Sequence, residues 1–264
     1  MISPELACYP GAALKSWNNF YCEKVLWARL LKVEEMTEVE KRVHFRVVRF
    51  MTESGVKLHI KSVPMATACV LYHKFFKENS LNDYDPYLIG TTCIYLAGKV
   101  EEEHLKLRDV INSCYRTLHK SKPPLELGDT FWSLRESVAN CELFVLRTLK
   151  FRVAFTHPHK YMLHNLKYLQ DWFDPYKWEA LPISRTAWSL LRDCYHGNMC
   201  LNYKPQHLAV AVLFFALQCH GAEVPYHKYA DTPWWLVFAE DITLDIIKAI
   251  ITDIIAVYEL ENTV

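Results

Sequence analysis

Four prolines set the frame of this chain. Pro64 and Pro86 stand 22 residues apart, and Pro182 and Pro205 stand 23 apart. Proline suits the first turn of a helix, where its missing N–H costs nothing and its ring pre-sets φ. Each pair brackets an aromatic-ended helix and opens an apolar one. The rhythm predicts an internal duplication, an all-α chain of two tandem five-helix units.

Helical spacing supports that expectation between the prolines. Arg42 to Val56 carries Phe45, Val48 and Met51 at steps of three. Ser62-Val63-Pro64 predicts a capped helix start that runs to Phe75-Phe76. Asp85-Pro86 opens the next helix, ending near Glu102, and Leu107 to Leu118 is shorter and amphipathic. Lys122-Pro123-Pro124 breaks the chain. Phe131 to Leu149 then places Leu134, Val138, Cys141, Val145 and Leu149 on one face. His157-Pro158-His159 marks a boundary, because the residue before a proline avoids helical geometry. Beyond it the predicted helices are Pro158 to Phe173, Pro182 to Gly197, Pro205 to Gly221, a short piece at Pro233-Trp234-Trp235, and Thr243 to Tyr258. The expected division is 41–156 and 157–264. Residues 1–40 form an N-terminal extension, either an amphipathic helix through Trp17, Phe20, Tyr21, Val25 and Leu26 or a variable segment.

Composition narrows the function classes. At 51% hydrophobic and 23% charged, 264 residues suffice for a substantial core, and seven glycines disfavour a turn-rich all-β fold. The formal net charge is zero, so no global field draws the chain to nucleic acid. No segment reaches the roughly 18 apolar residues of a membrane span, and the N-terminus is not expected to be a secretory signal. Nine cysteines show no Cys-x-x-Cys pair and sit mostly among apolar neighbours, as Cys69, Cys93, Cys141 and Cys219 do. A reducing compartment, nucleus or cytoplasm, is the expectation. Cys194, His196 and Cys200 cluster, as do His157 and His159, but no tetrahedral set is completed at the usual spacings, so no metal and no cofactor are expected. Nucleophile elbows, phosphate-cradling glycine loops and His-Glu-x-x-His are missing, so no catalytic residues are assigned.

Two charged elements stand out. Leu96-Ala97-Gly98-Lys99-Val100-Glu101-Glu102 ends an apolar helix abruptly in charge, which places it where core meets surface. Carboxylates at a helix C-terminus oppose the macrodipole, at about 0.3–1 kcal/mol each. They form either a solvated helix end or an acceptor cluster for a partner. Glu142 lies between Cys141 and Leu143, and a carboxylate in such company is expensive unless paired. Lys99 is the candidate partner. At this level a structural pair and a binding pair look the same.

These two elements resemble the third and fifth helices of the cyclin box: Leu96 to Glu102 the third, and Glu142 to Leu149-Lys150-Phe151 the fifth. The resemblance covers roughly residues 41–260. His157-Pro158-His159 and Trp234-Trp235 resemble transcription-class cyclins such as cyclins T and K. Val43-His44-Phe45-Arg46-Val47, Tyr72-His73-Lys74-Phe75-Phe76 and Asp85-Pro86-Tyr87-Leu88-Ile89 look closest to the cyclin Q (cyclin M) branch. The resemblance implies a non-catalytic regulatory subunit that forms a heterodimer with a cyclin-dependent kinase. Cyclin-dependent kinase 10 is the partner implied by the cyclin Q branch. By position, Lys99 and Glu142 bind the kinase near its αC helix, with Leu96, Val100, Glu101, Glu102 and Phe151 beside them in the contact face. The substrate-docking patch of cell-cycle cyclins maps to Val43, Val47 and Phe50, but its tryptophan is gone. The alternatives are a cyclin-box scaffold of the transcription machinery without a kinase, and a helical enzyme with an unrecognised site.

Overall fold

The computed structural model describes residues 36–225 and 232–261. The expected helix through Trp17 and Leu26 lies outside the described residues. Eleven helices are present among those described: α1 Glu38–Lys57, α2 Ser62–Glu78, α3 Pro86–Val100, α4 Leu107–Leu118, α5 Asp129–Thr148, α6 His159–Trp172, α7 Pro175–Ala180, α8 Ile183–Asp193, α9 Met199–Asn202, α10 Pro205–Cys219 and α11 Leu244–Glu261. Two single turns of tighter helix, Cys194–His196 and Trp234–Val237, complete the set.

Local chemistry sets where these helices start. Thr37 and Glu40 form a reciprocal capping box at α1, with Glu40 N–H donating to the Thr37 hydroxyl at 3.2 Å and Thr37 N–H to the Glu40 carboxylate at 2.8 Å. Asp85 accepts from Tyr87 N–H at 2.9 Å, and Pro86 fills the first position of α3. The start of α2 differs from expectation. Ser62 is already inside the helix, Lys61 takes the cap position, and no side chain caps it.

Two tandem five-helix boxes pack around two buried helices. In the first, α3 contacts α1, α2, α4 and α5, which is why it is apolar on every side. Its buried Thr91 and Thr92 hydroxyls donate to the Tyr87 and Leu88 carbonyls, each at 2.9 Å, so their polarity costs little. In the second, α10 holds the same place against α6, α8 and α11. Its Leu208–Leu213 run is buried throughout. The isoleucine pairs of α11 split by depth, with Ile247, Ile250, Ile251 and Ile254 fully buried. The fourth element of the second box shrinks to the turn at Trp234–Val237, where Trp234 stacks on Phe214 with centroids 6.1 Å apart.

The two cores exchange one aromatic each. Phe45 of α1 packs in the second core, and Tyr195 packs in the first. A seam rich in histidine lies between them. His73 Nε2–H donates to the Tyr195 carbonyl at 2.9 Å, and His44 bonds the Tyr72 hydroxyl at 3.0 Å. His159 stacks on Tyr195 at 6.0 Å.

Candidate functional site

The last turn of α3 meets α5 at Glu142, nearly two turns before the end of α5. Lys99 sits in the last turn of α3, where its charge offsets the macrodipole that the following glutamates oppose. Its Nζ donates to Glu142 Oε1 at 2.6 Å and lies 4.4 Å from the centre of the Tyr95 ring. Burial opposes the ammonium, but the hydrogen bond and charge of Glu142 outweigh it and hold the Lys99 pKa above its usual value. The Lys99 side chain is 49% exposed and that of Glu142 17%. The pair is formed in the free chain and stays reachable from solvent.

Both helices stop in the same way. After α3, Glu102 adopts φ 55° and Glu103 N–H returns to the Gly98 carbonyl at 2.8 Å. After α5, Lys150 and Phe151 adopt φ 52° and 57°, with Phe151 N–H on the Leu146 carbonyl at 2.8 Å and Lys150 N–H on that of Arg147 at 3.0 Å. These are Schellman closures, whose left-handed position normally takes glycine. Here three non-glycine residues carry the strain, a cost of order 1–3 kcal/mol each. Gly98 makes the first closure possible for another reason. A Cβ there would meet Leu105 Cδ1 at 2.7 Å and the Glu103 carbonyl oxygen at 3.1 Å, so only glycine lets the loop fold back over the helix end.

The three glutamates separate into different roles. Glu103 pairs with Lys61 at 3.1 Å. Glu101 ends a directional chain into the seam. The ionised carboxylate has no proton to give, so the Thr67 hydroxyl donates to Glu101 Oε1 at 2.6 Å. His157 Nε2–H must then donate to Thr67 Oγ1 at 2.8 Å, and the Tyr195 hydroxyl to His157 Nδ1 at 3.1 Å. Burial holds the His157 pKa down, against the opposing charge of Glu101. Glu102 is exposed and has no ion pair among the described residues.

The structure brings Lys99, Val100, Glu101, Glu102 and Glu142 together and places Phe151 at the end of the neighbouring helix. Phe151 is 62% exposed. Leu96 does not belong to this surface: it is 3% exposed in the first core, where it anchors the turn that carries Lys99. Sequence reasoning missed Leu143 and Phe144, exposed apolar residues of α5 beside Glu142, with Phe144 packed on Tyr84 at 5.3 Å. The available signal was two apolar residues off the buried stripe. Val47 and Phe50 are buried, Phe50 edge-on to Tyr87 at 5.3 Å, so the first-helix positions offer almost no docking surface. No group of three metal-ligating side chains occurs among the described residues.

The profile of the family described as "Cyclin, N-terminal domain" matches residues 23–154. Cyclin-T1-4 of Arabidopsis thaliana is 29% identical over 214 residues, covering 80% of this chain and 38% of that relative. Human Cyclin-K is 27% identical over 223 residues, covering 83% of this chain and 37% of the relative. The cyclin pch1 of Schizosaccharomyces pombe is 28% identical over 216 residues, covering 81% and 60%. Among solved structures, a chain of the yeast RNA Pol II CTD kinase CTDK-1 complex superposes with TM-score 0.66 at 18% identity, covering 85% of this chain and 67% of that one. A chain of the CAK complex of Chaetomium thermophilum gives TM-score 0.57 at 14% identity, covering 87% and 65%. The chain spans less than half the length of several of the relatives it matches.

Proposed function

Because the chain belongs to the cyclin family, and its relatives are transcription-class cyclins, we propose that it is the regulatory subunit of a cyclin-dependent serine/threonine protein kinase. The observation that carries this is the accessible Lys99–Glu142 pair, with exposed Glu102 shortly after Lys99 in the chain and exposed Leu143, Phe144 and Phe151 after Glu142. A charged pair rimmed by apolar side chains, on a backbone held in strained closures, is a preorganised docking platform. An active kinase needs its β3 lysine paired with the αC glutamate. A platform that binds only the inward αC conformation shifts that equilibrium. Moving it from 1:99 to 99:1 takes about 5.5 kcal/mol of differential binding. The chain itself performs no chemistry in this scheme.

Residues 41–156 and 157–264 are the proposed units, with Phe45 and Tyr195 as the residues each lends the other. The partner proposed from sequence is cyclin-dependent kinase 10. Of the residues behind that choice, His44, Phe45, Val47, Tyr72, His73, Phe75 and Ile89 are buried, and none of the motif residues belongs to the platform. Partner identity is therefore tested by recovery. The full chain is used as bait in nuclear extract, and the recovered kinase is identified and assayed with and without added chain. Activity that rises with the chain supports the proposal. A recovered kinase indifferent to it counts against activation, and a different kinase counts against the cyclin Q assignment. A nuclear, reducing location is proposed with it and fits thiols that burial keeps protonated, such as Cys114, pushed up to about 11, and Cys200, pushed up to about 12.

A further inference from the structure

A chain of hydrogen bonds joins the platform to the second box. Glu101 closes α3, Thr67 sits in the first half of α2, His157 lies between α5 and α6, and Tyr195 belongs to the tight turn Cys194–His196. Thr67, His157 and Tyr195 are 0%, 8% and 4% exposed. Tyr195 is itself fixed, since its carbonyl accepts from His73 and its ring stacks on His159. The Thr67 hydroxyl stands apart from its kind. The other buried threonines among the described residues, Thr91, Thr92 and Thr117, donate to the carbonyl four residues back in their own helices. Thr67 donates across to Glu101 on another helix, and its oxygen accepts from His157.

Glu101 is distinctive at the other end of the chain. Glu103 is neutralised by Lys61, and Glu142 by Lys99. Glu101 has no ion pair among the described residues and is held instead by a neutral hydroxyl on Oε1. Its Oε2 accepts no hydrogen bond among them. A neutral donor orients a carboxylate without cancelling its charge. A glutamate captured by a partner loses rotamer freedom, and a side chain fixed beforehand avoids that cost. We propose that Thr67, His157 and Tyr195 are positioning residues for kinase binding, holding the Glu101 carboxylate so that its Oε2 receives a hydrogen-bond donor of the kinase. This rests on reading the Lys99–Glu142 face as the kinase platform. It gives the second box a part in docking, although every platform residue comes from the first.

The test reads Kd for the recovered kinase with the full chain, alongside urea stability of each free variant. Tyr195→Phe removes only the hydroxyl farthest from the platform and is expected to weaken association about three- to thirtyfold. Tyr176→Phe, at an 85%-exposed tyrosine of α7, loses the same group and is expected to stay within about twofold. Thr67→Val is expected to weaken association at least as much as Tyr195→Phe, and Thr67→Ser, which keeps the hydroxyl, to recover most of it. Thr67→Val is the harsher variant, and Tyr195→Phe gives a result even if that one fails to fold. A purely structural role would act whether or not the carboxylate is present. In a Glu101→Ala background, Tyr195→Phe is therefore expected to change Kd by less than about twofold. Equal weakening by Tyr195→Phe with and without Glu101, or Tyr195→Phe binding within about twofold of the unaltered chain, would overturn the inference. Lys99→Ala and Glu142→Ala separate it from the reading beneath it. If both leave Kd unchanged, the platform falls and this inference with it; if they weaken binding and Tyr195→Phe does not, the positioning role alone falls.

Discussion

Acid should loosen the seam between the boxes before it does anything else to this protein. His44, His73 and His159 are buried there, and burial lowers their pKa values from 6.5 to about 4, about 3 and about 4. Glu40 pulls His44 back up slightly, the Tyr195 carbonyl does so for His73, and His157 pushes His159 further down. His159 Nδ1 has no hydrogen-bond partner among the described residues. Because these folded values lie below the unfolded value, the unfolded chain takes up protons first. The stability each histidine gives is complete above about pH 7 and falls as pH drops from about 6.5 towards 4. Between pH 7 and pH 5 each loses about 2 kcal/mol, and the three together up to about 6 kcal/mol if they act independently. Against a typical total of 5–15 kcal/mol that is a large fraction. Urea unfolding at the two pH values measures it. His73→Gln keeps a donor for the Tyr195 carbonyl but cannot titrate, so its loss should be smaller by about 2 kcal/mol. Equal stability at pH 5 and pH 7, or an undiminished loss in His73→Gln, would refute the reasoning.

Substitutions at three positions examine the platform and the hydrogen-bond chain behind it. Gly98→Ala gains about 1 kcal/mol of helix propensity but forces a methyl group against Leu105 and the Glu103 carbonyl, so melting should fall by a few degrees; a raised melting temperature would contradict the close approach. Lys150→Gly removes left-handed strain at an exposed position and should stabilise the chain by up to about 1 kcal/mol in thermal unfolding, whereas a clear loss would show that no strain is stored there. Thr67→Val leaves Glu101 and His157 without their shared hydroxyl and should cost about 2–3 kcal/mol in denaturant, while Thr67→Ser should cost much less; equal costs would remove the directional chain from the account.

Much of the fold was legible because periodicity and proline placement are local. Pro86 and Pro205 announced α3 and α10, the buried apolar helices against which the other helices of each box pack. The exceptions have physical reasons. The cap expected at Ser62 failed because the serine lies one residue inside the helix. The helix stops near Glu102 and Leu149 were read correctly, but the left-handed closures at Glu102, Lys150 and Phe151 were not, because no glycine marks them. Of the site, the Lys99–Glu142 pairing was readable from the cost of a carboxylate between Cys141 and Leu143. Leu96 was misplaced because a motif position does not say which way a side chain on an all-round apolar helix faces. The Glu101–Thr67–His157–Tyr195 chain spans positions far apart in sequence, so only the assembled boxes reveal it.

The central claim is that Lys99 and Glu142 serve kinase binding more than folding. The direct measurement is a double-mutant cycle of Lys99→Ala and Glu142→Ala, reading Kd for the recovered kinase and urea stability of the free chain on the same samples. Lys99 is about half exposed, so Glu142→Ala should cost the free chain no more than about 1 kcal/mol, and Lys99→Ala, which leaves the 17%-exposed Glu142 unpaired, about 1–2 kcal/mol. Association should weaken by about 2–4 kcal/mol for each, roughly thirty- to thousandfold in Kd. Intact variants that bind the kinase within about threefold of the unaltered chain would contradict the account.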